Sequence, residues 1–254
     1  MNSKNFVPHR IADPRTVYFV PIEHIDNVTM QTYPIPGFSD PVSSLSHLLG
    51  IGIFWVLGFF LLKRSDATNH RFSLGIFVIS CIFLLSMSSV YHLLAPESAG
   101  HPILQRLDHA AIFVLIAGSF TPVHSILFTG WGRWGMLLLV WSLALTGITL
   151  KVIFFDSIPE WLSLTIYLGL GWMGLASGMM IWRRYDADLV KPLVYSGLSY
   201  TFGGLLEFFR VPVLILGVIG PHELLHFGVL AGIGFHFRFL FGVLNRLSPG
   251  KPRS

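Results

Sequence analysis

The chain has 254 residues, 53% of them hydrophobic and only 12% charged, with a mean hydropathy of +0.66. Soluble domains carry about 25% charged residues, so a water-soluble globule of this length would lack polar cover for its apolar surface. An integral membrane protein is the class that remains. The formal net charge of +4 and the pI near 9.4 do not point to nucleic acid, because the lysines and arginines fall between apolar runs, a topology pattern and not a basic patch.

Residues 1–41 hold Pro8, Pro14, Pro21, Pro34 and Pro36 among charges and read as a polar extra-membrane tail, with a short interfacial piece near Val17–Ile25. They contain no apolar h-region, so no cleavable signal peptide is expected. A membrane domain over residues 42–246 follows, then a short C-terminal tail, 247–254. The domain contains seven apolar stretches: Val42–Leu62, Phe72–Leu94, Leu107–Phe128, Trp134–Ile153, Trp161–Trp182, Pro192–Leu216 and His222–Leu244. Each approaches the roughly 20 residues a spanning helix needs. The links between them are short, which makes sequential helices antiparallel neighbours. The predicted fold is therefore all-α, a seven-transmembrane helix bundle. Glycines inside the spans allow close helix approach, and Trp131, Trp134, Trp161 and Trp182 stand at span ends, where an aromatic belt is expected. The lone Cys81 excludes an intrachain disulfide.

Ionisable side chains inside spans are costly and point to function. With seven spans, His92 (end of span two), Asp108 and His109 (start of span three) and His222 and His226 (start of span seven) share one membrane level. The pair His222 and His226 lies four residues apart, on one face of a helix that Pro221 can open. Neutral imidazole is a common zinc ligand, and a catalytic zinc takes three protein ligands plus a water. His92, His222 and His226 supply three nitrogens for an intramembrane metal site. Asp108 is a fourth ligand or the group that holds and deprotonates the water. Ser88, one turn before His92, orients that imidazole or donates to a developing oxyanion.

Each residue also has a plainer structural reading. The histidine pair can hydrogen-bond across helices, Asp108 can cap its helix or pair with Arg106, and Ser88 can be a packing hydroxyl. Glu223 reads as a first-turn carboxylate favoured by the helix dipole, Glu207 and Arg210 as an ion pair, and His47, His109, His124 and His236 as polar core histidines. The string His222-Glu223-Leu224-Leu225-His226 matches the metalloprotease helix motif, but no Asp or Glu follows Glu223 and position 232 is glycine. The third ligand must come from upstream, which counts against a protease.

Taken together, several motifs resemble the family that joins bacterial hemolysin III proteins to the adiponectin and progestin receptors. They are Ser88-x-x-x-His92, Leu107-Asp108-His109, Ile116-Ala117-Gly118-Ser119-Phe120-Thr121-Pro122, Gly197-x-x-Tyr200-Thr201-x-Gly203, His222-x-x-x-His226 and Phe235-His236-Phe237. The resemblance implies a seven-span fold and zinc held by His92, His222 and His226, with Asp108 and Ser88 matching the family aspartate and serine. Through the receptor branch and the related alkaline ceramidases it also implies hydrolysis of a lipid amide. The family's early acidic–asparagine–histidine motif is only partly present: His47 fits the histidine, while Ser43 stands where asparagine is usual. Glu223 also departs from the pattern.

The expected function is a zinc-dependent integral membrane hydrolase acting on a lipid amide or ester, with a membrane lipid or fatty acyl ligand and no nucleic acid partner. Two alternatives stay open: a receptor or sensor with structural zinc, and a hemolysin-like pore-former. Oligomeric state and substrate are not read from the sequence. The protein is expected in the plasma (inner) membrane. Arg106, Lys151 and Arg210 flank the site face, against Lys63, Arg64, Arg71, Arg133, Arg183, Arg184, Lys191, Arg246, Lys251 and Arg253 on the other. That imbalance puts the C-terminus in the cytoplasm, whereas the adiponectin-receptor resemblance implies the reverse.

Overall fold

Apolar runs punctuated by Pro, Gly and charged links become helices, and the computed structural model describes residues 40–247. The predicted tail, including the interfacial piece, lies outside the described residues except for Asp40 and Pro41, as does the C-terminal tail beyond Leu247. Eight α-helices follow one another: α1 (Pro41–Arg64), α2 (Thr68–Leu93), α3 (His101–Leu127), α4 (Gly130–Ile153), α5 (Glu160–Trp172), α6 (Gly174–Arg184), α7 (Ala187–Phe209) and α8 (Pro221–Leu247). No strand is present among the described residues.

Among the described residues six helical segments are long and apolar enough to cross a membrane: α1, α2, α3, α4, the stretch Glu160–Arg184 and α8. That fifth segment comprises α5 and α6, which meet at Met173 among Gly169, Gly171 and Gly174, residues that weaken a helix interior. Helix α7 has comparable length, 23 residues, but carries Asp188, Lys191 and Glu207 and is less apolar than the six. Large side chains such as Leu49, Phe72, Ile79, Trp131 and Leu216 are exposed. In a membrane-spanning bundle those faces meet lipid and not water.

One expected boundary differs. The sequence predicts a sixth apolar stretch that runs to Leu216, but α7 ends at Phe209. Arg210 adopts a left-handed conformation (φ 56°), and its N–H reaches back to the carbonyls of the last turn. This is a common helix stop, and Pro212 follows it where the chain can no longer be helical. The apolar segment that follows folds on itself: Leu214 and Ile215 N–H donate to Ile219 O at 2.9 and 3.0 Å, and Ile219 N–H donates to Ile215 O at 2.8 Å. Hydropathy alone does not separate such a self-bonded loop from a helix end.

The main core lies between α1, α2, α3 and α8, where Phe54 stacks on Phe237 (ring centroids 5.4 Å) and Phe77 packs against Phe237 (5.0 Å). The most extensive pairings are α7 with α8 and α2 with α3. The α7–α8 approach depends on glycine. A Cβ at Gly228 would come within 2.9 Å of the Ser199 carbonyl oxygen and 3.2 Å of the Gly203 Cα. This contact sets the spacing between the ends of α7 and α8 that carry Glu207 and His222.

Candidate metal centre

Two helix ends bring the three histidines together. His92 is the penultimate residue of α2, and His222 and His226 lie on the first two turns of α8. The α8 start is built by its own sequence: Pro221 occupies the first helical position, and Glu223 folds back so that its Oε2 accepts the Gly220 N–H at 2.7 Å. The second carboxylate oxygen accepts Ser43 Oγ–H from α1 at 3.3 Å. Both oxygens of Glu223 are thus engaged in fixing the α8 N-terminus, the reciprocal half of a capping box. One structural hydrogen bond on each oxygen supports the helix-capping role of Glu223 over the base role that the protease-like motif suggests.

One ring nitrogen from each of His92, His222 and His226 makes a set lying within 4.8 Å of one another, the one such group among the described residues. Nε2 of His222 is 3.2 Å from Nε2 of His92 and 3.1 Å from Nε2 of His226. Behind these rings stand two carboxylates. Asp40 Oδ2 is 3.3 Å from His92 Nδ1, and Glu207 Oε1 is 3.5 Å from His222 Nδ1. A carboxylate only accepts, so each draws the ring proton to Nδ1 and leaves an Nε2 lone pair pointing into the cluster. With both ring protons on Nδ1, the facing lone pairs at this separation repel unless a cation or a shared proton lies between them.

The donor set therefore fits a metal ion. Nitrogens about 2.0–2.1 Å from a tetrahedral zinc lie about 3.3–3.4 Å apart, close to the two separations that involve His222, while the set as a whole lies within 4.8 Å. Carboxylates behind the ligating imidazoles are the usual support of such centres. His226 is held differently: its ring stacks on His47 at 4.0 Å between centroids, and its Nδ1 has no hydrogen-bond partner among the described residues. His47 is itself buried, with neither ring nitrogen hydrogen-bonded among the described residues.

Asp40 does two things at once. It precedes Pro41 as the N-cap of α1, accepting the Ser43 N–H at 3.4 Å, and its own N–H donates to the His92 carbonyl at 3.0 Å. Burial pushes its carboxyl up, but the hydrogen bonds from His92 and Ser43 outweigh that and hold it below the ordinary value. Asp108 sits on the second turn of α3, half-buried and outside the three-histidine group. Its neighbour Arg106 pairs with Asp156 at 2.9 Å and not with it. Ser88 is buried on α2, one turn before His92.

Sequence reasoning did not single out Asp40, although Asp-Pro before an apolar run is a helix-start signal. It read Glu207 only as a partner of Arg210, a bond that is present at 3.0 Å alongside the contact to His222. It placed His47 in the core without foreseeing that the ring backs a ligand.

Beside the centre a cavity of about 620 Å³ runs between α3, α5, α6, α7 and α8. Glu207, which also touches His222, lines it at the site end together with His109 and Leu225, and the walls beyond are mostly apolar.

The profile of the Haemolysin-III related family matches residues 38–237. The chain belongs to that family. Among curated relatives it is 32% identical over 131 residues to the "Hemolysin-3 homolog" of Bacillus subtilis (strain 168), covering 52% of this chain and 61% of that protein. It is 28% identical over 164 residues to "Hemolysin-3" of Bacillus cereus, covering 61% of this chain and 72% of that one. The match thus spans less than two thirds of the first relative's length. The three clustered histidines lie within the family-matched region.

Proposed function

We propose that this family member is a zinc-dependent integral membrane hydrolase acting on a lipid amide or ester. It is arranged as a seven-span bundle in which α7 crosses with the six more apolar segments. The observation that carries the reading is a three-imidazole donor set, two members of which are backed by carboxylates, beside an apolar cavity. A zinc ion held by His92, His222 and His226 would supply Lewis acidity to polarise a carbonyl and acidify water.

The chain's own residues do the rest. Asp40 and Glu207 hold the rings of His92 and His222 by their Nδ1–H groups, and His47 fixes the plane of the His226 ring. The cavity, of a volume typical for small-molecule sites, takes the acyl chain and excludes water from the scissile group. Asp108, half-buried and outside the ligand set, takes or relays the proton from the attacking water. Ser88 donates to the developing oxyanion. A three-residue donor set with no fourth side chain in the group among the described residues supports a catalytic centre over a structural one, which is closed by four protein ligands. By the count of flanking cations we place the C-terminus in the cytoplasm and the centre toward the outer face.

The test is turnover by purified protein with one zinc per chain, across a panel of ceramides and lysolipids. Hydrolysis that is lost in Asp108→Ala while zinc is retained supports the reading. Stoichiometric zinc with no turnover on any member of the panel counts against it.

A further inference from the structure

Helix α8 carries a positive charge that the metal centre does not use. Arg238 lies twelve residues beyond His226, toward the opposite end of the bundle, and is exposed. It stands six residues inside the end of the apolar stretch His222–Leu244, a depth of about 9 Å at the helical rise. A charge at such depth is costly unless it finds a counter-charge. Other cations toward this end have partners. Arg133 donates to the Phe128 carbonyl at 2.9 Å and Arg184 to the Leu127 carbonyl at 3.3 Å, while Lys191 and Arg246 pair with Asp188 and Asp186. Arg238 makes no ion pair among the described residues.

The arginine opens onto a groove between α1 and α8. Leu57 of α1 forms one side, and Gly234, Arg238 and Asn245 follow one another along α8. Glycine weakens a helix interior, yet no neighbouring helix requires it at position 234, where a Cβ would meet nothing within 4 Å. Polarity along the groove runs in a fixed order. Gly234 and Leu57 are apolar and lie toward the middle of the bundle, Arg238 is the cation, and Asn245 stands just past the apolar stretch. A phospholipid has the same order of chain, phosphate and head group. No acidic residue lines the groove.

We propose that the α1–α8 groove binds one anionic phospholipid, with Arg238 on its phosphodiester, Asn245 beside the polar head and an acyl chain along Gly234 and Leu57. The planar guanidinium matches two phosphate oxygens at once, and basic pockets between transmembrane helices hold acidic head groups. A zwitterionic head would add an ammonium for which the groove offers no carboxylate. The site binds without making or breaking a bond. It lies apart from the three histidines and from the larger cavity, so it stands whether or not the protein is a hydrolase.

The experiment titrates delipidated full-length protein in detergent with dioleoyl phosphatidylglycerol or dioleoyl phosphatidylcholine and counts bound lipids by native mass spectrometry. Wild type is expected to take one phosphatidylglycerol about tenfold more tightly than phosphatidylcholine, the effect of one charge-assisted contact. Arg238→Gln, which breaks no ion pair within the described residues, should bring the two lipids to equal affinity. Gly234→Leu, whose Cβ has open space, should fill the groove and lose the tight phosphatidylglycerol while the arginine remains. Exchanging Lys63 and Arg64 for Gln together should leave the preference intact. Equal affinity for the two lipids in wild type overturns the proposal, as does a preference that survives Arg238→Gln. A preference lost in Arg238→Gln but kept in Gly234→Leu also overturns it, because the arginine would then attract anionic lipid without the groove.

Discussion

Asparagine in place of Asp40 isolates what the carboxylate does for the metal centre. Asn caps helices about as well as Asp, so in Asp40→Asn the α1 N-terminus keeps an acceptor for the Ser43 N–H, and the backbone bond from residue 40 to the His92 carbonyl is untouched. What is lost is the charge 3.3 Å from His92 Nδ1. Outer partners of this kind contribute about 10- to 100-fold in metal affinity, or about 1.4–2.7 kcal/mol. Asp40→Ala should lose the same affinity and, in addition, about 1 kcal/mol of stability from the missing cap. Competition with a chromophoric zinc chelator on metal-stripped protein in detergent measures the first quantity, and thermal unfolding in the same detergent measures the second. If Asp40→Asn binds zinc as tightly as wild type, the carboxylate does not orient His92 toward a metal, and the argument from tautomers falls.

Three further outcomes follow from other parts of the structure. Gly228→Leu should force α7 and α8 apart, separating Glu207 from His222, and weaken zinc binding together with thermal stability; a variant with unchanged zinc affinity would show that this helix contact does not set the centre. Glu223→Ala removes acceptors for the Gly220 N–H and the Ser43 hydroxyl, costing about 1–3 kcal/mol from the unsatisfied buried donors. It should lower the unfolding temperature while leaving residual zinc binding, whereas a true catalytic base would abolish turnover with no change in stability. Asp186 caps α7 by accepting the Leu189 N–H at 2.9 Å and pairs with Arg246. Those bonds hold its carboxyl below the ordinary value, the Leu189 N–H foremost. Its stabilisation is therefore present above the usual carboxylate pKa and lost as pH falls through the lowered one. The difference in unfolding temperature between wild type and Asp186→Ala should be full at neutral pH and shrink in that acidic window.

The helical architecture and the three histidines could be read from the sequence for one physical reason. Polar side chains in apolar runs are conspicuous, and short links fix which run ends share a face. The carboxylates behind the histidines were harder to see. Asp40 stands at the junction with the polar tail, where a carboxylate looks unremarkable, and Glu207 has a local partner three residues away that accounts for it without the histidine. His47 gave a motif fragment but no direction for its ring. The end of α7 was missed because Val211–Ile219 is as apolar as a span. Pro212 was the available signal, and hydropathy outweighed it. The cavity depends on how α3, α5 and α7 splay, which no local pattern encodes.

Elemental analysis of protein purified without added metal, beside His222→Ala purified in the same way, tests the central claim most directly. The account predicts one zinc per chain in wild type and its loss in the variant, with both still folded as helical membrane proteins. A folded wild type that binds no divalent metal, or a His222→Ala that keeps its full complement, would contradict it.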